Sequence, residues 1–288
     1  MTLSVPYRGF GDRFIIKGKA GSFPSRDKVP EALLAHWLGL PIPATVGGSN
    51  NVTFTLKGST RPIPLWIGND FALLDEDLTY TWGAVSNPIL DSTGAAATDT
   101  DSVLGVWYMY CGIDVTADVP TLVLRPSQTA PEATDSRFGG AWLSHPGTDK
   151  ANFWRYVGFM VCTTAATPAF LTQVKIGWEW HWAALAASPV TAALTVTSVF
   201  SVRVPKLAKY GGRVAGNLVT GKAGTVTVGG SSVASQGVAI AKHSGTVSGI
   251  ITAPFDISGP NDATGELYAI AVVSAGASIS VTRYRDVV

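Results

Sequence analysis

Histidine is the side chain that most often serves as a base or a metal ligand near neutral pH, so the histidines are considered first. They are His36, His145, His181 and His243, and no two of them have the spacing of an H-x-x-x-H or H-E-x-x-H zinc motif. We therefore predict no metal site. His36 adjoins Trp37 in a predicted helix, where we expect a packing or surface role rather than catalysis.

The glycine-rich serine segments also lack the pattern of a nucleophile. Gly229-Gly230-Ser231-Ser232 and Gly47-Gly48-Ser49 do not have the G-x-S-x-G spacing that places a serine on a strained turn between a strand and a helix. Glycine and serine are common in the turns of β proteins, and we interpret both segments as turns. The sequence predicts no catalytic residue and no cofactor.

Carboxylates are the remaining candidates, because glycoside hydrolysis needs two that face each other. The glutamates are Glu31, Glu76, Glu132, Glu179 and Glu266. The densest acidic group is Asp70 with Asp75, Glu76 and Asp77, and a second pair is Asp99 with Asp101. Such oxygen ligands suit Ca²⁺, but no complete binding loop is present, and Asp75 to Asp77 resembles a turn before a strand. A polysaccharide depolymerase is therefore only our third hypothesis.

The segment from Gly177 to Trp182 has the unusual sequence GWEWHW. On one strand, Trp178, Trp180 and Trp182 would share a face, with Glu179 and His181 on the other. A row of indoles can stack on sugar rings, which would make the chain a carbohydrate-binding or receptor-binding module. The same row can form the centre of a β-sandwich or a subunit interface, because tryptophan buries a large area. We favour the core or interface and keep the glycan platform as the alternative.

The composition limits the function classes. Charged residues make up 14% of the chain and the net charge is +1, which argues against a nucleic-acid partner. The 46% of hydrophobic residues argues against disorder. Nine Trp, eleven Phe and eight Tyr offer more apolar surface than one copy would bury, so we expect a homo-oligomer. No apolar tract reaches the length of a spanning helix and the chain does not begin like a signal peptide, so we expect no membrane insertion. We expect Cys111 and Cys162 to be buried thiols.

Short β-branched and aromatic runs between glycine and proline turns predict an all-β fold. The body is predicted to be an antiparallel, jelly-roll-like β-sandwich over residues 46–205. An N-terminal arm (1–45) with a short helix near Pro30 to Leu40 precedes it, and a small Gly/Ser/Val-rich β domain (206–288) follows. Strands are predicted at Val52–Leu56, Gly105–Ile113, Thr121–Leu124, Tyr156–Cys162, Val174–Trp182, Leu194–Val204, Thr225–Val228, Val247–Ile251 and Ala277–Arg283.

Three short motifs follow one another between Ser102 and Thr172. Trp107-Tyr108-Met109-Tyr110 lies in one predicted strand, Ser127-Gln128-Thr129-Ala130-Pro131 at the end of the next, and Arg155-Tyr156-Val157-Gly158 in a third. In this order, W-Y-x-Y, S-x-T-A-P and R-Y-[VLI]-G, the chain resembles the fibre and appendage domains of tailed-bacteriophage virion proteins. The resemblance covers about a quarter of the chain.

The resemblance implies a non-enzymatic structural protein of the virion, made in the host cytoplasm. Because the chain is short and lacks coiled-coil heptads and a collagen-like repeat, a head-decoration protein, head fibre or tail component fits best. We expect a trimer whose partners are other virion proteins such as capsid or tail proteins, with a host surface glycan as the alternative. The basic residues Arg8, Arg13, Lys17 and Lys19 would anchor the arm to an acidic neighbour.

Overall fold

The computed structural model describes the chain in twenty segments, the longest of which are 88–98, 105–114, 121–132, 154–164 and 169–182. The others are 14–16, 42–47, 52–58, 63–67, 70–74, 76–82, 144–147, 191–194, 199–203, 213–220, 224–229, 238–243, 251–258, 266–272 and 277–285. These residues are strand, turn and bridge without helix, which confirms the predicted all-β class. Over the same residues we find no helix of the length and hydropathy needed to cross a bilayer.

The chain forms two compact units, and each is described by itself. Unit 1 comprises Met1–Ser102 and Trp107–Met160 with Val288, and unit 2 comprises Val103–Val106 and Val161–Val287. The predicted helix at Pro30 to Leu40 and the basic residues Arg8, Arg13, Lys17 and Lys19 lie outside the described residues.

Unit 1 contains short sheets whose strands pair antiparallel, except for one parallel pair. Its strands are β1 (Phe14–Ile16), β2 (Ala44–Gly47), β3 (Thr53–Leu56), β4 (Ile63–Ile67), β5 (Asp70–Leu74), β6 (Leu78–Thr81), β7 (Pro88–Leu90), β8 (Ala96–Thr98), β9 (Gly105–Asp114), β10 (Thr121–Ser127) and β11 (Arg155–Thr164), whose last residues belong to unit 2. Strand β3 pairs with β2 and β6, β5 with β4, and β7 with β8. Strand β9 lies between β10 and β11, and β10 packs against β1, β6 and β7.

The core of unit 1 is centred on β9, which is buried from Trp107 to Ile113. Such a continuous apolar run is typical of a strand covered on both faces. The Trp107 ring meets Trp82 edge-on at 4.7 Å between centroids, an arrangement that the charge distribution of aromatic rings favours. The aromatic strand predicted at Gly105–Ile113 is thus confirmed, and its side chains form the core.

One strand of unit 1 falls in the predicted arm. Strand β1 pairs in parallel with β5, with Phe14 opposite Phe71, so this part of the chain belongs to a sheet. No strand is predicted here from the sequence, because a three-residue apolar run is too short to show a period.

Unit 2 contains two larger antiparallel sheets. Its strands are β12 (Ala169–Phe170), β13 (Gln173–Ile176), β14 (Glu179–Trp182), β15 (Thr191–Leu194), β16 (Val199–Arg203), β17 (Arg213–Thr220), β18 (Gly224–Gly229), β19 (Val238–His243), β20 (Ile251–Ser258), β21 (Glu266–Val272) and β22 (Ala277–Arg285). The first sheet has the order β20-β17-β22-β14-β13, and β15 also pairs with β22. The second has the order β16-β21-β18-β19. Strand β12 pairs with the end of β11.

One predicted strand needs correction. The predicted strand Val174–Trp182 is a hairpin, because the chain reverses at Gly177 and Trp178 between β13 and β14. Gly177 has φ +61°, which glycine adopts without the steric cost of a Cβ atom. Strands on both sides of residue 205 share sheets, since β14 and β15 pair with β22, and β16 pairs with β21.

Candidate functional site

The three motifs of the sequence lie on adjacent strands, in the order β10-β9-β11. Tyr108 and Tyr110 on β9 each meet Tyr156 of β11 edge-on, with 6.2 Å between ring centroids. Tyr110 also meets the His145 ring at 5.0 Å, and Ser127 of β10 is opposite Tyr108. We call Tyr108, Tyr110, Ser127, His145 and Tyr156 the motif cluster. It brings together residues from all three motifs.

A hydrogen bond fixes the deepest phenol of the cluster. The Tyr110 hydroxyl donates to the Thr129 carbonyl oxygen at 2.6 Å, so the first motif is tied to the second. Burial raises the pKa of Tyr110 well above its ordinary value, and the charges of Tyr108 and Glu132 act in the same direction. The phenol therefore stays protonated and remains a donor.

Ser127 and His145 form the one serine–histidine contact in the motif cluster. The Ser127 Oγ lies 3.2 Å from His145 Nε2. On the other side of the ring, the Gly147 N–H donates to Nδ1 at 3.0 Å. A neutral imidazole has one donor and one acceptor nitrogen, so an acceptor at Nδ1 assigns the proton to Nε2. His145 consequently donates to Ser127.

This direction of donation is the reverse of what a nucleophile needs. In serine catalysis the histidine accepts the serine proton, which requires an unprotonated nitrogen facing Oγ. Here the Ser127 Oγ accepts from His145 and also from the Thr129 N–H at 3.2 Å. The pair joins two segments of backbone, 127–129 and 145–147, and neither ring nitrogen of His145 is left to accept the serine proton.

The segment that holds His145 is itself fixed by backbone bonds. Glu132 and Ser144 exchange N–H···O bonds at 2.9 and 2.8 Å, and the His145 N–H donates to the Trp154 carbonyl at 2.9 Å. Burial lowers the pKa of His145, against the opposing charge and backbone carbonyl of Asp91. The ring is thus neutral at neutral pH, in agreement with the tautomer assigned from its hydrogen bonds.

Glycine allows the closest approaches around the cluster. Gly94 has φ +85°, and a Cβ atom there would lie 3.2 Å from His145 Nδ1. A Cβ atom at Gly112 would overlap the Trp154 ring, whose face is covered by the Arg125 guanidinium at 5.1 Å. Arg155 beside it is fully buried, and desolvation lowers its pKa to about 10, so it remains charged at neutral pH.

The predicted row of three indoles does not form. Trp180 and Trp182 have exposed fractions of 0% and 6%, whereas Trp178 lies in the turn and is half-buried. Lys175 contributes to the covering of Trp180, with its Nζ 5.7 Å from the ring centroid. The glycan platform therefore lacks the exposed row that motivated it, because the hairpin removes Trp178 from the strand and the other two indoles are buried.

Two of the acidic residues that the structure describes, Asp77 and Asp91, accept hydrogen bonds from nearby backbone N–H groups. Asp77 accepts from Lys57 Nζ at 2.7 Å and from the Gly58 N–H at 3.0 Å, and the Lys57 hydrogen bond is the main cause that lowers the pKa of Asp77. Asp91 accepts from Thr93 and Ala95 in a short turn. Over the described segments, no group of three or more His, Cys, Asp or Glu side chains is arranged to hold a metal ion. Cys111 and Cys162 are buried free thiols, as predicted.

The sequence did not indicate the contact of His145 with Ser127, because the two residues are 18 positions apart and no spacing motif joins them. The local signal was the turn-forming run His145-Pro146-Gly147, which ends in the glycine that binds Nδ1. No protein-family model matches the chain, and the search of curated proteins finds no relative.

Proposed function

We propose that the chain is a non-enzymatic structural protein of a tailed-bacteriophage virion, as a head decoration, head fibre or tail component, and that it acts through oligomeric assembly. One observation carries this proposal. The residues that resemble such proteins lie side by side on β9, β10 and β11, where Tyr156 contacts both Tyr108 and Tyr110. The three motifs therefore belong to three adjacent strands that pack together.

The chemistry of the motif cluster supports a structural role. Tyr110, Ser127 and His145 act in the cluster as fixed donors and acceptors, and the neutral His145 donates to Ser127. Buried, fully bonded polar networks favour one arrangement of a core over others. A protein that must present the same surface in many identical copies needs such a rigid core.

Assembly is supported by composition and by one exposed residue. The chain has many aromatic residues and few charged ones, and Ile176 is a large apolar side chain with 63% of its surface exposed. A trimer is the assembly that we favour. The carbohydrate-binding alternative is not advanced further, because the indoles of Trp180 and Trp182 are buried.

Two measurements test the proposal. Light scattering of the purified chain should give a mass near three times 30.1 kDa. Gold-labelled antibody against the chain should decorate intact particles of the phage that encodes it, at the head or at the tail. A monomer that is absent from purified particles would contradict the proposal. A chain that hydrolyses host polysaccharide would assign it to the third hypothesis instead.

A further inference from the structure

One face of the β13–β14–β22 sheet combines arginine with exposed apolar side chains. Residues directly opposite each other in antiparallel strands point to the same face. Val174 is opposite His181 and Ile176 is opposite Glu179. On the next strand, His181 is opposite Arg283 and Glu179 is opposite Arg285. The resulting outward face consists of Val174, Ile176, Glu179, His181, Arg283 and Arg285.

The side chains of the outward face are accessible to solvent, and the sheet continues beyond β22 with β17, where Arg213 is opposite Arg285. The members of the outward face are half-buried or exposed, whereas Lys175, Trp180 and Tyr284, which alternate with them, are buried. The apolar edge is Val174 and Ile176 on β13. Within the described segments, Ile176 is the one large hydrophobic residue that is exposed. An exposed apolar side chain beside charged groups is a combination that protein interfaces contain.

The opposite edge has an excess of positive charge. Glu179 is opposite Arg285, yet its carboxylate lies 3.4 Å from Arg283 Nη1 and 3.6 Å from His181 Nε2. Among the described residues, no acidic side chain is within ion-pair distance of Arg285. The Glu179 carboxylate therefore pairs with the guanidinium group of Arg283 and not with that of Arg285, which lies two residues, about 7 Å, further along the strand.

We propose that the outward face binds an acidic surface of another protein, with a carboxylate opposite Arg285 and an apolar side chain over Ile176. The inference rests on the proposed assembly role and names the surface that would carry it. Charge complementarity selects an acidic partner, since the face has two arginines and one glutamate. Arginine and aromatic residues are enriched at protein interfaces and lysine is depleted, and the face contains no lysine.

The apolar edge favours a protein over a sugar chain as the occupant. Sugar rings bind to flat aromatic faces, but the exposed edge here is formed by the branched side chains of Val174 and Ile176. A branched aliphatic side chain is covered best by another apolar side chain, which proteins supply. Arginine that makes bidentate bonds to a carboxylate would fix the orientation of the partner.

The test measures incorporation into particles. Cells infected by the phage express an epitope-tagged chain from a plasmid, and immunoblots of purified particles give the tagged copies per particle. We expect Arg285→Glu to reduce incorporation about tenfold or more, and Ile176→Ser to reduce it by a smaller factor. Lys57→Glu is the matched control, because it makes the same charge change at an exposed residue of unit 1 and should leave incorporation unchanged. Thermal melting verifies that each variant is folded.

The possible outcomes separate this inference from the proposed function. If the tagged wild-type chain does not enter particles, the virion role itself fails. If the wild type enters and Arg285→Glu enters equally well, the role stands and the proposed surface is wrong. If Arg285→Glu also converts the purified oligomer to monomers, the occupant is a second copy of this chain and not an acidic partner. Normal incorporation with lost binding of the purified chain to host cells would assign the face to a cell-surface glycan, and would also overturn the proposal.

Discussion

The motif cluster of unit 1 and the outward face of unit 2 use the same side-chain types in opposite ways. In unit 1, His145 is buried with both ring nitrogens bonded, and Trp154 and Arg155 are buried beside it. In unit 2, His181 and Trp178 are only half-buried, and Arg285 is exposed. Burial fixes the proton and the geometry of the first set. Exposure leaves the second set free to meet a partner.

This contrast in burial shows that residue type alone does not distinguish a structural site from a binding site. A serine beside a histidine suggests catalysis, but the Gly147 N–H at Nδ1 makes His145 a donor and the pair structural. A tryptophan-rich strand suggests a glycan platform, but the turn at Gly177 leaves Trp180 and Trp182 buried. In unit 1 the backbone N–H of Gly147 decides the role of His145, and in unit 2 the chain reversal at Gly177 decides the role of the tryptophans.

Removal of a cluster ring is the strongest test of the comparison. Tyr156→Ala deletes a fully buried ring that contacts both Tyr108 and Tyr110, and we expect the free energy of unfolding to fall by about 3–5 kcal/mol. Trp178→Ala at the hairpin turn is the counterpart in unit 2, and its half-buried indole should cost much less. Urea denaturation of both variants provides the measurement. Equal losses would show that the two regions do not differ in packing as described.

The sequence was informative where the signal was local and silent where it was not. The W-Y-x-Y run correctly predicted β9, because aromatic and β-branched residues strongly favour a buried strand. In GWEWHW the alternation of tryptophan with polar residues continues through the turn, because the strand-forming Trp178 occupies a turn position. Gly177 was the one local sign that the chain reverses there. The parallel pairing of Phe14 with Phe71 and the contact of Ser127 with His145 join residues that no local pattern connects. Such pairings depend on the tertiary fold.

A smaller effect is expected when one hydrogen bond of the cluster is lost and the ring is kept. Tyr110→Phe leaves the Thr129 carbonyl without the phenol that donates to it at 2.6 Å, and the free energy of unfolding should fall by about 1–3 kcal/mol. Ser127→Ala removes an acceptor shared by His145 and the Thr129 N–H and should have a similar effect. A double-mutant cycle checks whether the two bonds act as one network. Strict additivity would indicate independent bonds.

The pH dependence of stability tests the neutral state of His145. Burial lowers the pKa of His145 in the folded chain below its ordinary value of 6.5. As the pH falls from that value, the unfolded chain therefore binds the proton first, and the free energy of unfolding decreases until the pH reaches the folded pKa. The loss is absent above the ordinary value. Urea titrations between about pH 7.5 and pH 5 provide the measurement.

Two variants test whether His145 causes this decrease in the free energy of unfolding at low pH. His145→Gln should remove the part of the pH dependence that arises from the buried ring, because glutamine does not titrate. His181→Gln removes the histidine of the outward face and should leave that part in place. If His145→Gln keeps the full wild-type dependence on pH, the neutral tautomer inferred from the Gly147 and Ser127 hydrogen bonds is wrong.

The smallest effect is expected at the ion pair of the outward face. Glu179 and Arg283 are 3.4 Å apart with much of both side chains exposed, so water and salt screen their attraction. Glu179→Gln should change the free energy of unfolding by less than about 1 kcal/mol, and the change should shrink further in high salt. The same substitution leaves Arg283 and Arg285 without an acidic neighbour on this face, so it should strengthen incorporation into particles if the partner is acidic. A stability loss as large as that of Tyr110→Phe would show that the face is held as rigidly as the motif cluster, and the contrast between the two regions would then fail.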